Sequence, residues 1–276
     1  MNNNDRKSIL ELLKQNSRID FSLYHPSFFN KQVINHQQLF GNLDFDQYLN
    51  LLANNSKFVD SLISSLTVNV SEFFRNPLVF EVVNSVILAD LITRKKNKEF
   101  SSIRIWSAGC SFGEEAYSIA ILLMEALAEK YPEIKPEIFA TDIDEQALLK
   151  ARNGVYPENS IDNMRYHWVN KYFKQKDNFF YLSSKIREMV SFSQSDLLDL
   201  KHYAPQESIF GNFDICFCRN VLIYFGRLSQ KRIFTNMYRS LAPNGYLILG
   251  ETESIPYVYE KKFQKINQSC KIYQKI

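Results

Sequence analysis

Apolar residues in the N-terminal part of the chain recur at the three- and four-residue spacing of amphipathic helices. No strand-like alternation interrupts this pattern before a charged linker, Lys95 to Ser102. The sequence therefore predicts an all-helical N-terminal domain over residues 1–95. Its predicted helices open at Ser8–Leu13, follow Asp44 as an N-cap, and cover Phe58–Leu66 and Val79–Ile92.

Beyond the linker, short apolar runs alternate with helical segments. The run Phe213–Cys218 is apolar almost throughout, as in the buried middle of a parallel sheet. Strand–helix alternation predicts a doubly wound α/β sheet over residues 96–276. The predicted strands are Ile103–Trp106, Pro136–Thr141, Phe213–Cys218 and Tyr246–Leu249, with a turn at Pro243–Gly245 and a closing hairpin around Phe263 and Ile272–Tyr273. The predicted helices are Glu114–Lys130, Asp144–Arg152 and Ser229–Leu241.

One stretch departs from this alternation. Residues 155–193 are rich in aromatic and charged side chains and contain the strand-like runs Phe179–Leu182 and Met189–Phe192. They predict a small inserted subdomain with a short antiparallel sheet.

Composition narrows the class of protein. A net charge of +3 is too small for the strongly basic footprint of a nucleic-acid-binding domain. No apolar stretch reaches the ~18 residues needed to cross a bilayer, and the polar N-terminus lacks the apolar core of a signal peptide. We expect a cytoplasmic monomer without membrane insertion. Cys216 and Cys218 have no neighbouring Cys/His pair that would complete a zinc site, so no metal is expected.

The turn from Ser107 to Gly113 is the first candidate for ligand binding. It joins a predicted strand to a predicted helix and contains Gly109 and Gly113, which would let a ligand approach the backbone. The helix begins with Glu114 and Glu115, and two carboxylates at a helix N-terminus repel a pyrophosphate. They suit a cationic ligand such as S-adenosylmethionine. A purely structural turn is the alternative.

Asp142, at the end of the second predicted strand, is placed to accept hydrogen bonds from ribose hydroxyls. Asp144 is interpreted as the N-cap of the next helix. Two further segments, Leu66–Arg75 and Phe217–Phe225, place an arginine and polar residues beside bulky apolar anchors. Taken alone, each such segment indicates packing more often than catalysis.

Together these segments resemble the CheR family of chemoreceptor glutamate methyltransferases. The family blocks occur here in the family order, over about residues 66–254. They read SEFFR (71–75), WSAGCSFGEEAYSIA (106–120), ATDID (140–144), FCRNVLIYF (217–225) and GYLILGETES (245–254).

The resemblance implies an S-adenosylmethionine-dependent methyltransferase that esterifies glutamate side chains, with S-adenosylhomocysteine as product and no metal. Its implied partners are chemoreceptor cytoplasmic helices or another acidic protein. The implied cofactor residues are Asn69, Ser71 and Arg75, Gly109 in the turn, Glu115 with Glu114 at the methionine end, Asp142 at the ribose, Asp196 and Leu197 at the adenine, and Arg219 and Asn220 closing the pocket. The implied catalytic residues are Arg75, orienting the acceptor carboxylate, and Tyr224, facing the reacting methyl group.

The sequence departs from the family pattern at three places. Asp196 replaces an asparagine, and Ala116 replaces a proline. The family's second N-terminal helix is arginine-rich, whereas residues 26–41 offer only Lys31 and His36 as potential cations.

The sequence also bears on three alternative functions. A nucleic-acid methyltransferase on the same fold would show an N-P-P-Y, D-P-P-Y or Pro-Cys segment, and none occurs. The retained Arg75, Asp142, Arg219 and Tyr224 argue against a non-catalytic S-adenosylmethionine-binding signalling module. A methyltransferase acting on another protein is a further alternative.

Overall fold

The chain forms two compact units. The computed structural model describes residues 1–17, 19–41, 43–96, 101–127, 130–199, 201–209 and 211–276. The first unit contains Met1–Val68 and Leu222–Arg232, and the second contains Asn69–Val221 and Ile233–Ile276. The predicted linker, Lys95 to Ser102, falls partly outside the described residues, as does the predicted end of the helix that starts at Glu114.

The first unit is built from amphipathic helices whose caps are encoded locally. Asp44 accepts a hydrogen bond from the backbone N–H of Gln47, whose side chain bonds back to the N–H of Asp44. The predicted N-cap is therefore confirmed. The helices are α1 (Asn3–Asn16), α2 (Pro26–Leu39), α3 (Phe45–Asn54) and α4 (Ser56–Leu66), and a 3₁₀ turn covers Phe21–Leu23.

His36 lies inside the first unit. Its Nδ1 is 2.9 Å from the Tyr48 hydroxyl and its Nε2 is 2.7 Å from Ser61 Oγ. Burial lowers the pKa of His36. The expectation that His36 offers a surface cation on α2 is wrong, and Lys31 is the exposed cation of that helix.

The second unit is a mostly parallel mixed sheet in the order β6-β2-β1-β7-β8-β10-β9, flanked by helices. β10 pairs antiparallel with β8 and β9, while the other neighbours are parallel. The predicted α/β fold is confirmed. The main-sheet strands are β1 (Ser101–Ala108), β2 (Ile134–Asp142), β6 (Val190–Gln194), β7 (Phe213–Cys218), β8 (Leu241–Leu249), β9 (Phe263–Lys265) and β10 (Ile272–Lys275). The helices are α5 (Pro77–Val82), α6 (Ala89–Lys95), α7 (Glu114–Leu127), α8 (Glu145–Asn153), α9 (Tyr166–Tyr172), α10 (Ser184–Arg187) and α11 (Arg227–Ser240), whose first residues belong to the first unit.

The helical segment that precedes β1 packs into the core of the second unit. A π-helical stretch, Val83–Leu88, joins α5 to α6. Phe73, Phe80 and Leu88 share one apolar core with Ile105 of β1. The compact units consequently divide between Val68 and Asn69. The domain boundary near residue 95 stays a prediction.

The inserted subdomain contains an antiparallel sheet in the order β3-β5-β4, formed by Val155–Pro157, Phe179–Leu182 and Phe173–Lys176. The run Met189–Phe192, predicted to belong to it, lies instead in β6 and pairs parallel with β2. A short apolar run at a sheet edge has the same alternation in either sheet, so its pattern could not assign it.

The predicted turn Pro243–Gly245 lies within β8 as an irregularity. The pairing with β7 jumps from Phe213↔Leu241 to Ile215↔Tyr246, and Asn244 adopts a φ of 57°. Extra residues that loop out of a ladder form a bulge rather than ending the strand. None of the described helices is long and apolar enough to cross a membrane.

Candidate active site

The turn between β1 and α7 is tightly packed against the end of β2. The N–H groups of Gly109 and Cys110 both donate to the carbonyl of Thr141, at 2.8 and 3.0 Å. Gly109 has a φ of 75°, and a Cβ there would lie 2.5 Å from a methyl carbon of Val221. A larger residue would be strained in both respects. This glycine lets the turn lie close to the ends of the central strands.

Asp142 is fixed at the end of β2 by the neighbouring backbone. Its Oδ2 accepts from the N–H of Ser111 at 2.7 Å, and its Oδ1 accepts from the N–H of Asp144 at 3.0 Å. Burial raises the pKa of Asp142, and these hydrogen bonds oppose the rise. Each oxygen has a second lone pair, so the carboxylate can still accept hydrogen bonds from a ligand's hydroxyls.

Asn69 connects the segment before α5 to the same corner of the sheet. Its Nδ2 donates to Asp144 Oδ2 at 2.6 Å, and its Oδ1 accepts from Ser111 Oγ at 3.4 Å. The other oxygen of Asp144 caps α8 through the N–H groups of Gln146 and Ala147, which confirms its interpretation as an N-cap.

A buried ion pair links the first turn of α7 to the residue that follows β7. Arg219 Nη1 lies 3.1 Å from Glu115 Oε2, with only 2% of the Arg219 side chain exposed. Ser107 Oγ donates to Glu115 Oε1 at 2.7 Å. Arg219 Nη2 also donates to the carbonyl of Arg75 and to Asn76 Oδ1. Arg219 therefore joins three chain segments and orients Glu115, whose carboxylate suits an ammonium group.

Glu114 lies beneath the turn rather than on its surface. Its side chain is hydrogen-bonded to Ser71, and it is 2% exposed. Its Oε2 has no hydrogen-bond partner among the described residues. Burial raises the pKa of Glu114 to about 7. This carboxyl group therefore titrates near neutrality.

Arg75 follows two buried phenylalanines that anchor its segment. The N–H of Phe73 donates to the carbonyl of Ser160, and the N–H of Phe74 donates to Ser118 Oγ, both at 2.9 Å. Arg75 is half-buried, and its Nη1 donates to the carbonyl of Val70 at 3.3 Å. A guanidinium has five N–H donors, so this group can also hold a carboxylate.

Glu253 is a residue of this region to which sequence analysis assigned no role. It is 4% exposed. Its Oε2 accepts from the N–H groups of Gly250 at 2.6 Å and Asn220 at 3.1 Å, and its Oε1 accepts from the N–H of Val221 at 2.9 Å. It fixes the loop after β7, where Asn220 has a φ of 59°. Its signal was the last family block, which contains this glutamate.

Asp196 and Leu197 lie in the loop after β6. Asp196 Oδ1 accepts from the N–H of Leu198 at 2.8 Å, and the carbonyl of Leu197 accepts from Asn236 Nδ2 at 3.1 Å. The N–H of Ser195 donates to the carbonyl of Asp142. This loop therefore begins beside the end of β2.

Tyr224 belongs to the first unit. It ends a 3₁₀ turn, Leu222–Tyr224, and its carbonyl accepts from the N–H of His25 at 2.9 Å. Its ring lies 4.9 Å from that of Phe28, measured between ring centroids. The pairing of Tyr224 with Arg75 in catalysis stays a prediction.

Within the second unit, the structure brings together most of the predicted cofactor residues. They surround the ends of β1, β2 and β7, where ligands of open α/β sheets bind. Two of them, Glu115 and Asp142, are carboxylates, which can accept hydrogen bonds from ammonium and hydroxyl groups of a ligand. The described residues contain no group of three or more His, Cys, Asp or Glu side chains arranged to hold a metal ion.

Comparison with known proteins identifies the family to which the chain is similar. Residues 69–272 match the family model described as "CheR methyltransferase, SAM binding domain". The chain is 36% identical over 215 residues to a chemotaxis protein methyltransferase of Borreliella burgdorferi, covering 77% of this chain and 74% of that one. It is 33% identical over 258 residues to chemotaxis protein methyltransferase 2 of Vibrio cholerae, covering 91% and 87%.

A third relative is the chemotaxis protein methyltransferase of Escherichia coli, 32% identical over 263 residues, with 93% of this chain and 86% of that one covered. The family match covers most of the chain, and these relatives are aligned over most of their own length. This chain belongs to the CheR family of S-adenosylmethionine-dependent methyltransferases.

Proposed function

We propose that this chain transfers a methyl group from S-adenosylmethionine to glutamate side chains of chemoreceptors and so forms glutamate methyl esters. The observation that carries the proposal is the pair of carboxylates in the first turn of α7 and at the end of β2, held by the Arg219–Glu115 pair and by the backbone donors to Asp142. The relatives' names, chemotaxis protein methyltransferases, support the choice of acceptor.

S-adenosylmethionine supplies an electrophilic methyl group on a sulfonium centre. In the proposed site, Glu115 binds its amino group, Asp142 binds its ribose, and the loops at Asn69, Asp196 and Asn220 enclose the remainder. Gly109 lets the turn lie close to the ends of the central strands. Glu114, which is buried against Ser71, supports the turn and the Ser71–Arg75 segment from below.

The acceptor needs no general base. A glutamate side chain has an ordinary pKa of about 4.3 and is already ionised near pH 7. The enzyme's task is to remove water from this carboxylate and align it with the methyl group. Arg75 is proposed to hold the carboxylate, since a planar guanidinium matches it in two hydrogen bonds. Tyr224 is proposed to contact the reacting centre.

The test is transfer of label from methyl-tritiated S-adenosylmethionine to membranes that contain the organism's chemoreceptors. The proposal predicts protein-bound label that mild alkali releases as methanol. It also predicts that Arg75→Ala abolishes transfer, and calorimetry of S-adenosylmethionine binding measures how much of the loss arises at the cofactor site. Tight cofactor binding without any transfer by the wild type would instead favour a different protein acceptor or a signalling module. Substantial turnover by Arg75→Ala would remove Arg75 from catalysis.

A further inference from the structure

The first two turns of α11 present apolar and basic side chains side by side. Arg227 and Lys231 are four residues apart, as are Leu228 and Arg232, so the two pairs form neighbouring rows on one side of the helix. Leu228 is 86% exposed, and Ile223, just before the helix, is 44% exposed. Arg227 and Lys231 are exposed, and Arg232 is half-buried.

This part of the chain is held firmly within the first unit. Ser229 Oγ donates to the carbonyl of Leu23 at 2.9 Å. Phe225 forms a β-bridge with Tyr24, and their ring centroids are 4.7 Å apart. The exposed side chains are thus carried on a backbone that is packed from the opposite side. These side chains are exposed because they lie on the side of the helix that is not packed.

Positive charge is concentrated in this stretch. Residues 215–250 include no aspartate or glutamate, and their cations are Arg219, Arg227, Lys231, Arg232 and Arg239. The ion pairs found among the described residues involve neither Arg227 nor Arg232. By contrast, α2 carries one exposed cation, Lys31, because its histidine is buried.

We infer that the surface formed by Ile223, Arg227, Leu228 and Lys231, the α11 surface, docks the acidic amphipathic helix that carries the target glutamates. The inference rests on the proposed function, which makes the substrate a glutamate-bearing protein. Leu228 and Ile223 supply contact area for the apolar edge of such a helix. Arg227 and Lys231 face its carboxylates, and complementary charge raises the association rate and fixes the register of binding.

The α11 surface lies next to a proposed catalytic residue. Tyr224, the proposed contact of the reacting centre, directly follows Ile223 and lies in the same unit. A substrate helix on the α11 surface would therefore be bound near that tyrosine. In this chain the substrate-facing charge would be carried by α11 and not by α2.

The test measures initial rates of methyl transfer as a function of receptor concentration at low and high salt. The test variants are Arg227→Glu, Leu228→Ser and the two combined. The controls are Lys57→Glu, which makes the same charge change at an exposed lysine of α4, and Val258→Ser at a 56% exposed apolar residue of the second unit. Calorimetry of S-adenosylmethionine binding reports whether each variant keeps its cofactor site.

The combined variant is expected to lower kcat/KM for the receptor about tenfold through a higher KM, since charged and apolar rim contacts act on association. The loss should shrink at high salt, and the cofactor affinity should not change. If the combined variant keeps the kcat/KM of its controls while the wild type methylates receptors, the α11 surface is not the docking site. A wild type that forms no alkali-labile ester would overturn the proposed function and this inference with it.

Discussion

Glu253→Gln tests whether a single buried carboxylate holds the loop after β7. The wild-type side chain accepts hydrogen bonds from three backbone N–H groups, those of Gly250, Asn220 and Val221. Glutamine has nearly the same shape but only one acceptor oxygen. Its NH₂ group would face a backbone N–H, donor against donor. If the glutamine carbonyl takes the position of Oε2, the NH₂ group takes that of Oε1, and the N–H of Val221 loses its acceptor.

The magnitude follows from these bonds. A buried backbone N–H left without an acceptor costs about 1–3 kcal/mol. The two bonds that remain would lose the strengthening that a charged acceptor gives, about 1 kcal/mol or less each. We therefore expect Glu253→Gln to lower the free energy of unfolding by about 3 kcal/mol. We also expect weaker S-adenosylmethionine binding, because Asn220 belongs to the proposed pocket.

Urea denaturation at pH 7 measures the first effect and calorimetry the second. Glu251→Gln is the matched control, since Glu251 is exposed and accepts one hydrogen bond, from Asn76 Nδ2 at 2.7 Å. An exposed change of this kind should stay within about 0.5 kcal/mol. Equal unfolding free energies for the two variants would refute the role given to Glu253.

Three further predictions follow from buried charges. The pKa of Glu114 is raised to about 7 from 4.5, so the folded state binds the proton more tightly than the unfolded state. Between about pH 4.5 and 7 this group alone should lower stability by up to about 3 kcal/mol as pH rises. Urea denaturation should show this slope flattened in Glu114→Gln, and an unchanged slope would contradict the assignment. Arg219→Met leaves Glu115 without its buried partner and should cost about 3 kcal/mol or more by the same measurement. Adding Glu115→Gln should recover part of the loss, and no recovery would mean that the pair is not coupled. Asp142→Asn should weaken S-adenosylmethionine binding about tenfold by calorimetry, as expected for one lost charge-assisted hydrogen bond, and an unchanged affinity would place the ribose elsewhere.

Local signals in the sequence predicted most elements of the fold. Asp44 and Asp144 were identified as N-caps because the capping side chain acts within three residues of its own position. The buried strand Phe213–Cys218 was identified because a central parallel strand is apolar on both faces. Such features can be predicted without knowing which distant residues contact them.

The features that were missed depend on tertiary partners. His36 has the spacing of a surface cation on α2, and only its bonds to Tyr48 and Ser61 make it a core residue. The run Met189–Phe192 fits either sheet until its pairing with β2 is known. Glu253 receives its donors from residues on two separate loops, so no local pattern could reveal its partners.

Sequence analysis named residues for the candidate site but could not predict how these residues contact one another. The family blocks located Arg219 and Glu115 separately, and the structure joins them in a buried ion pair. The blocks also placed Glu114 together with Glu115 at the methionine end of the cofactor. In the structure Glu114 is buried, whereas Glu115 forms the ion pair with Arg219. Neighbouring carboxylates in a sequence can therefore have different environments and different roles.

The most direct test of the central claim is peptide mass spectrometry of a chemoreceptor's cytoplasmic fragment after incubation with the enzyme and S-adenosylmethionine. The account predicts added methyl groups on glutamate side chains, their removal by mild alkali, and their absence when Arg75→Ala replaces the wild type. Methyl groups on lysine, cysteine or other residues that survive alkali would contradict carboxylate methylation. A fragment left unmodified by a wild type that binds S-adenosylmethionine would contradict the chemoreceptor as acceptor.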